Sequence, residues 1–422
     1  MTLIHRNIES IVQQIADSFP VIYVNGPRQA GKTTLVKNIL NKQFHAEFRT
    51  FDDFHERNAA QHNPEIFLKS ANTPLIIDEV QMVSSLFRPL KLIIDERREA
   101  ALIDHQKLNL QYILTGSANL LALPELANAM VGRMATLTLL PLSTAEVLNI
   151  DHNFIQLFFN DEIPNIKPSD IPLSSMISQA TFPILKNLPS HHISEWFKNY
   201  LYKITIDDPK HLYNLEKAQM MPLLLQALAI RAGSLINDAD LSRDIGLNTV
   251  TTRLYRHLLQ DTFVSYFLKP WHKNIGKRLV KSPKVYFYDT LLLCHLLQST
   301  PEDLSKFKPE LFGHVLENFV LSELLKCNTL LQYPVDISFY RTHEGQEIDF
   351  ILETPTKTVA IEIKNAEQIQ AKDIKNLKEF KAHVGQNFHR GIILCNVKRV
   401  IPIEEDIFLV PISALWSSIA YS

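Results

Sequence analysis

The sequence predicts an α/β protein: a mostly parallel sheet in the first third, a helical middle, and a second α/β part at the C-terminal end. Three observations carry this. An apolar run, Val21-Ile22-Tyr23-Val24, leads through a glycine-bounded loop into a helical pattern over residues 34–40. A second run, Leu75-Ile76-Ile77, ends in two carboxylates, Asp78 and Glu79. Far downstream, residues 347–352 and 359–364 alternate in character on either side of a proline turn, as two strands of a hairpin do.

The loop Gly26-Pro27-Arg28-Gln29-Ala30-Gly31-Lys32-Thr33 fits the pattern G-x-x-x-x-G-K-[ST] at every required position, and Thr34 follows it. Its glycines let the chain wrap closely. The N–H groups and the helix N-terminus face phosphate oxygens, and Lys32 adds a mobile positive charge. Thr33 would place its hydroxyl on a Mg²⁺ ion. Residues 26–34 are therefore the candidate site for a nucleoside triphosphate, with no guanine-specifying motif to separate GTP from ATP.

The run at 74–79 reads as a buried central strand whose carboxylates sit where open α/β sheets bind ligands. Asp78 would hold the Mg²⁺ and Glu79 would activate the attacking water as general base. A third strand, 110–114, ends in Thr115-Gly116-Ser117, and either hydroxyl is a candidate sensor of the γ-phosphate. Arg133 has two readings of equal weight. It points at the nucleotide of its own or a neighbouring subunit, or it is a surface arginine near a helix C-terminus.

At 422 residues the chain has room for several domains. A net charge of −2 offers no global attraction for nucleic acid, so any such surface is local. Cys294, Cys327 and Cys395 are widely spaced, which suggests neither a disulfide framework nor a zinc site and fits a reducing compartment. The N-terminus lacks a signal-peptide apolar region, and no apolar span of about 18 residues occurs. The expectation is a cytoplasmic protein without a membrane partner.

Residues 148–235 open irregularly, with Pro164, Pro168 and Pro172, and continue as a helical lid with aromatic anchors Trp196, Phe197, Tyr200 and Tyr202. In 236–300, a helix at 238–246 ends in Gly246 and a second at 249–259 carries polar and basic residues on one face, a helix-turn-helix pattern. The β-rich runs 263–267 and 284–288 would form a wing. Between them, 269–284 holds six Lys/Arg, one Trp and no acid. With the helix 249–259, that stretch is the candidate contact for double-stranded DNA. The competing reading is a solvated basic hairpin in a module that meets a protein partner.

Residues 301–422 hold a second constellation. A helical run at 316–324 carries Glu317, and the hairpin follows. Asp349, twelve intervening residues and then Glu362-x-Lys364 match the D…E-x-K core of the PD-(D/E)XK nuclease fold. Period-2 geometry puts Glu362 and Lys364 on one face. Asp349 and Glu362 would hold Mg²⁺, Glu317 would add a ligand, and Lys364 would position water or stabilise developing charge. Such a domain either cleaves or survives as a binding or dimerisation part.

Taken together, G-P-R-Q-A-G-K-T-T, L-I-I-D-E-V-Q, L-T-G-S-A-N-L-L, the V-G-R segment ending in L-P-L-S, L-E-N-F-V, Y-R-T-H-E-G-Q-E-I-D-F and I-E-I-K resemble one family. It is the prokaryotic AAA+-type ATPases with a C-terminal domain of unknown function, number 4143. The resemblance implies an AAA+-like P-loop NTPase core at 1–147, a helical lid at 148–235, a winged helix-turn-helix at 236–300 and a restriction-endonuclease-like α/β domain at 301–422. ATP and Mg²⁺ are the implied cofactors. The leading expectation is an ATPase whose nucleotide state controls the winged-helix and nuclease-like module on DNA. The alternative is a nucleotide-controlled switch that binds a protein partner and has an inactive nuclease-like domain. A third reading has ATP gating a metal-dependent nuclease. Oligomeric state is not read from the sequence.

Overall fold

The computed structural model describes residues 3–117, 130–150, 153–163, 165–166, 168–209, 218–273, 282–342, 344–417 and 419–420. The chain divides into two compact units. One comprises Met1–Pro141 with Phe182–Ile184 and Asp261–Phe263; the other comprises Leu142–Thr181, Leu185–Gln260 and Val264–Ser422.

The first unit is built on five strands: β1 (Val21–Asn25), β2 (Glu47–Thr50), β3 (Leu75–Asp78), β4 (Tyr112–Gly116) and β5 (Met134–Thr138). Their order is β2-β3-β4-β1-β5, and every neighbouring pair is parallel. β1, β3 and β4 are buried along their whole length, which is why they read as unbroken apolar runs and not as alternation. Phe87, Leu90 and Ile94 of the helix Phe87–Ile103 share a core with Tyr23, Ile77 and Leu114 of the sheet. This is the α/β architecture with a parallel-sheet core that the sequence predicts. β4 begins at Tyr112, later than the expected 110, and takes in Thr115 and Gly116 because these pair with Val24 and Asn25. Leu114 is registered with both Tyr23 and Ile77, so the C-terminal ends of β3, β4 and β1 lie side by side.

In the second unit a short pair, β6 (Asn165–Ile166) with a strand near the C-terminus, precedes a mostly helical stretch. The helices Asp238–Ile245 and Thr249–Asp261 meet across Gly246, whose φ of +68° is the left-handed turn glycine allows. They lead into an antiparallel pair, β7 (Ser265–Leu268) and β8 (Lys284–Phe287).

The long helix Pro309–Asn328 precedes a mixed sheet of β9 (Asp336–Arg341), β10 (Glu347–Glu353), β11 (Thr358–Ile363), β12 (Phe388–Cys395), β13 (Ile401–Pro402) and β14 (Ile407–Pro411). The order is β13-β14-β12-β11-β10-β9, with β9, β10 and β11 antiparallel and β11, β12 and β14 parallel. Leu377 and Phe380 of the helix Ala371–Val384 pack with Ile348, Ile351, Ala360 and Ile393.

Trp271 belongs to that same core, edge-on to Phe380, so the one aromatic of the basic stretch is not a nucleic-acid contact. Lys277, Arg278 and Lys281 of that stretch lie outside the described residues. Among the described residues, no helix is long and apolar enough to cross a membrane.

Candidate functional site

β1 delivers the chain to Gly26, whose φ is +141°. A Cβ there would stand 2.1 Å from the Leu139 carbonyl oxygen, so only glycine fits. Gln29 (φ +61°) and Gly31 (φ +99°) complete the turn, and a helix opens at Lys32. Lys32 is buried, and its Nζ donates to Gly26 O at 2.9 Å and Pro27 O at 2.8 Å. Burial lowers its pKa to about 8, although the Glu79 and Asp78 carboxylates act to raise it and Arg28 lowers it further. Ala30 is buried beneath the loop, while Thr33 and Thr34 are exposed at the helix start.

Arg6 holds the loop from behind. It is buried, and its Nη1 and Nη2 donate to Ala30 O and Leu140 O, each at 2.7 Å. No sequence pattern announces this residue, 24 positions upstream of its partner.

Next to the loop, Thr33 Oγ1 donates to Asp78, 2.9 Å from Oδ2 and 3.1 Å from Oδ1. From the adjoining strand, Thr115 Oγ1 donates to Asp78 Oδ1 and accepts the Glu79 N–H at 3.2 Å. Burial raises the Asp78 pKa, and the hydrogen bonds from Thr115 and Thr33 oppose that rise. Glu79 itself sits in the left-handed region, φ +57°. Its Oε2 accepts from Gln81 Nε2, which also donates to Ser117 Oγ at 3.0 Å. The two hydroxyls at the C-terminal end of β4 are thus both at the site with different partners: Thr115 meets Asp78 and the Glu79 backbone, and Ser117 meets Gln81. Sequence reasoning missed Gln81, although its place two residues after Glu79 was a usable signal. The Thr33 hydroxyl and the Asp78 carboxylate are hard oxygen donors beside the phosphate loop, a donor set that fits Mg²⁺.

Arg133 is elsewhere. Met134 is registered with Val21, so Arg133 stands at the N-terminal end of the parallel strands, whereas the loop leaves their C-terminal end. Its guanidinium grips Asp95 at 2.6 and 2.8 Å and donates to Val131 O at 2.9 Å. It does not point at the nucleotide loop of its own chain.

The C-terminal residues also come together, but in another chemistry. The β9–β10 register shifts between Ile348 and Ile351, and this bulge aims Asp349. Asp349 Oδ2 accepts the Ile363 N–H at 2.8 Å. Burial, then the charge of Glu317, raises Asp349 to about 7, while burial and Asp349 together raise Glu362 well above the carboxylate range. The two carboxyls thus act on each other, each favouring the protonated form of its neighbour. Lys364 Nζ lies 3.7 Å from Glu362 and 3.2 Å from Asp373. Glu317 Oε1 accepts from Tyr286 OH and from Lys284 Nζ at 3.0 Å, and Lys284 also reaches Glu347 at 2.7 Å. Burial alone would lower the Lys284 pKa, but Glu317, Asp349 and Glu347 outweigh it and raise it.

Among the described residues no group of three or more His, Cys, Asp or Glu side chains is arranged to hold a metal ion. The expected set of Glu317, Asp349 and Glu362 with Lys364 is brought together, and its oxygens have protein partners: Lys284 and Tyr286 at Glu317, the Ile363 N–H at Asp349 and Lys364 near Glu362.

Some of the expected DNA-facing cations are engaged, while Lys269 and Lys273 are exposed. Lys284 is buried, not offered to solvent. On the helix Thr249–Asp261, Arg253 and Arg256 both pair with Asp238, at 3.0 and 2.9 Å.

Comparison with known proteins bears on both ends of the chain. The family described as AAA domain matches residues 18–148, and two domains of unknown function match residues 182–303 (DUF8612) and 312–415 (DUF4143). Uncharacterized proteins of Mycobacterium bovis and Mycobacterium tuberculosis are each 27% identical over 365 residues, covering 86% of this chain and 74% of theirs. Among solved structures, Cdc6p of Pyrobaculum aerophilum is similar with a TM-score of 0.25 and 10% identity, covering 71% of this chain and 93% of that one. Protein VC1899 of Vibrio cholerae has a TM-score of 0.19 and 11% identity, covering 94% and 95%. Scores that low support no structural argument. The motifs and the parallel sheet agree with these matches: the chain carries an AAA-type P-loop ATPase domain at residues 18–148 and a DUF4143 domain at residues 312–415.

Proposed function

We propose that this protein is a Mg²⁺-dependent ATP hydrolase working as a nucleotide-controlled switch, and that its target is a protein partner. The observation that carries the hydrolase reading is the convergence of Thr33, Asp78 and Thr115 at the adjoining ends of β1, β3 and β4. Lys32 and the loop N–H groups take the phosphate charge. Thr33 and Asp78 would hold Mg²⁺, which supplies charge neutralisation at the phosphate oxygens. Glu79 accepts a proton from water as the water oxygen attacks the γ-phosphorus and the bond to the bridging oxygen of ADP breaks. Thr115 ties the Asp78 carboxylate to the Glu79 backbone, and Gln81 aligns the Glu79 carboxylate with Ser117.

The burial of Lys284 and Arg256 against acids favours a protein target over DNA, and the exposed Arg253, Lys269 and Lys273 are the cations that DNA-stimulated turnover would implicate. A phosphate-backbone surface needs solvent-facing cations.

The test is ATP binding and steady-state hydrolysis of wild type, Lys32→Ala and Glu79→Gln, with and without double-stranded DNA. Lys32→Ala is expected to lose ATP binding, and Glu79→Gln to bind ATP without turning it over. Turnover is expected to be indifferent to DNA. Full ATP affinity in Lys32→Ala would end the nucleotide reading; turnover stimulated by DNA would replace the protein target with DNA.

A further inference from the structure

The carboxylate cluster of the second unit has a feature that its D…E-x-K spacing does not announce: a lysine from outside the motif sits among its acids. We propose that Lys284 is the cluster's built-in cation, standing where a nuclease-like site would hold its divalent metal, so that the native chain neither binds metal there nor cleaves nucleic acid through it.

The geometry is that of a filled site. Lys284 is the first residue of β8, and its side chain is only 3% exposed. Its Nζ bridges Glu317 on the helix Pro309–Asn328 and Glu347 on β10, at 3.0 and 2.7 Å. Tyr286, two residues on and so on the same face of β8, donates to the same Glu317 oxygen. The Glu317 side chain as a whole is only 13% exposed.

A Mg²⁺ ion demands about six oxygens at roughly 2.1 Å in octahedral array. Here a carboxylate oxygen that would face it already accepts two hydrogen bonds, and the ammonium adds like-charge repulsion against any second cation. Lys364, the lysine of the motif, is turned to Asp373, an acid the motif does not include. These contacts fasten β8, the helix Pro309–Asn328 and β10 to one another, a structural use of residues with catalytic spacing. The inference is independent of the nucleotide reading, because it concerns the nucleotide-free chain.

The experiment is a Mn²⁺ titration of the full-length, nucleotide-free chain, followed by the electron paramagnetic resonance of free Mn²⁺. Plasmid nicking in Mn²⁺ is measured beside it. Wild type is expected to show no Mn²⁺ site sensitive to Asp349→Asn and no nicking. Lys284→Met, which keeps the stem and removes the charge, and Lys284→Ala are expected to gain a Mn²⁺ site that is lost again on adding Asp349→Asn.

Mn²⁺ bound by wild type and lost in Asp349→Asn would overturn the proposal, as would Asp349-dependent nicking by wild type. A folded Lys284→Met chain, judged by circular dichroism, that binds no Mn²⁺ would overturn the assignment of Lys284 to the metal's place. If neither Lys284 variant folds, the wild-type titration and nicking assay decide.

Discussion

Thr115→Val is the sharpest probe of how the hydrolytic site is held. Valine keeps the shape of threonine at a fully buried position and removes one hydroxyl. Two hydrogen bonds go with it: the one Thr115 donates to Asp78 Oδ1, and the one it accepts from the Glu79 N–H at 3.2 Å. A bond to a charged group contributes about 1.5–3 kcal/mol and a neutral one about 0.5–1.5 kcal/mol. The second also restrains Glu79, whose φ of +57° is a conformation a non-glycine residue keeps only when its surroundings hold it. If roughly 2–4 kcal/mol of positioning is lost at the transition state, kcat/KM for ATP falls about 30- to 700-fold.

The hydrogen bond from Thr115 also opposes the burial that raises Asp78, so its loss moves Asp78 further up. Mg²⁺ needs the ionised carboxylate, and the acid limb of the pH–rate profile therefore moves to higher pH. The assay is phosphate release across pH, with ATP affinity measured separately using a fluorescent analogue. That affinity is expected to stay near wild type because residues 26–33 are untouched, and Thr115→Ser is expected to restore turnover. A Val variant within about threefold of wild type, or a Ser variant as impaired as Val, would refute the reasoning, since about threefold is less than 1 kcal/mol.

Three further outcomes are expected. Gly26→Ala forces a Cβ to within 2.1 Å of the Leu139 carbonyl oxygen, so ATP affinity should drop more than about tenfold in a binding titration. Lys32, lowered to about 8, binds phosphate only when protonated; ATP affinity is expected to be flat below pH 8 and to weaken by up to about tenfold per pH unit above it. Arg6→Ala leaves the buried Ala30 and Leu140 carbonyls without their donor, at a cost of about 1–3 kcal/mol each. This should lower the melting temperature and raise KM for ATP more than it lowers kcat.

How much of this was legible follows from where the chemistry lives. The loop at 26–33 works through consecutive backbone N–H groups and one lysine, so its function is a spacing, and a spacing can be read. Asp78-Glu79 was readable because a buried parallel strand is an apolar run and its end is marked by the first charges. The choice between Thr115 and Ser117 was not readable. They stand two apart, on one face of an extended chain, and only the β3–β4 register decides which meets Asp78.

The choice between the two readings of Arg133 was not readable for the same reason. Its distance in sequence says nothing about which end of the sheet it reaches, and the Val21–Met134 register puts it at the far end from the loop. At 269–284 a high cation content read as a surface, but content does not say which lysine turns inward. Lys284 does, because β8 presents it with Tyr286 to Glu317, a carboxylate 33 residues further on.

The D…E-x-K pattern likewise specifies a hairpin and leaves its charge balance open. A metal site exists only if the acids on those strands remain uncompensated. Here the compensation arrives on β8, where Lys284 pairs with Glu317 and Glu347. A motif contained in one segment can be judged from that segment; one whose chemistry depends on net charge has to be judged with every element that packs against it.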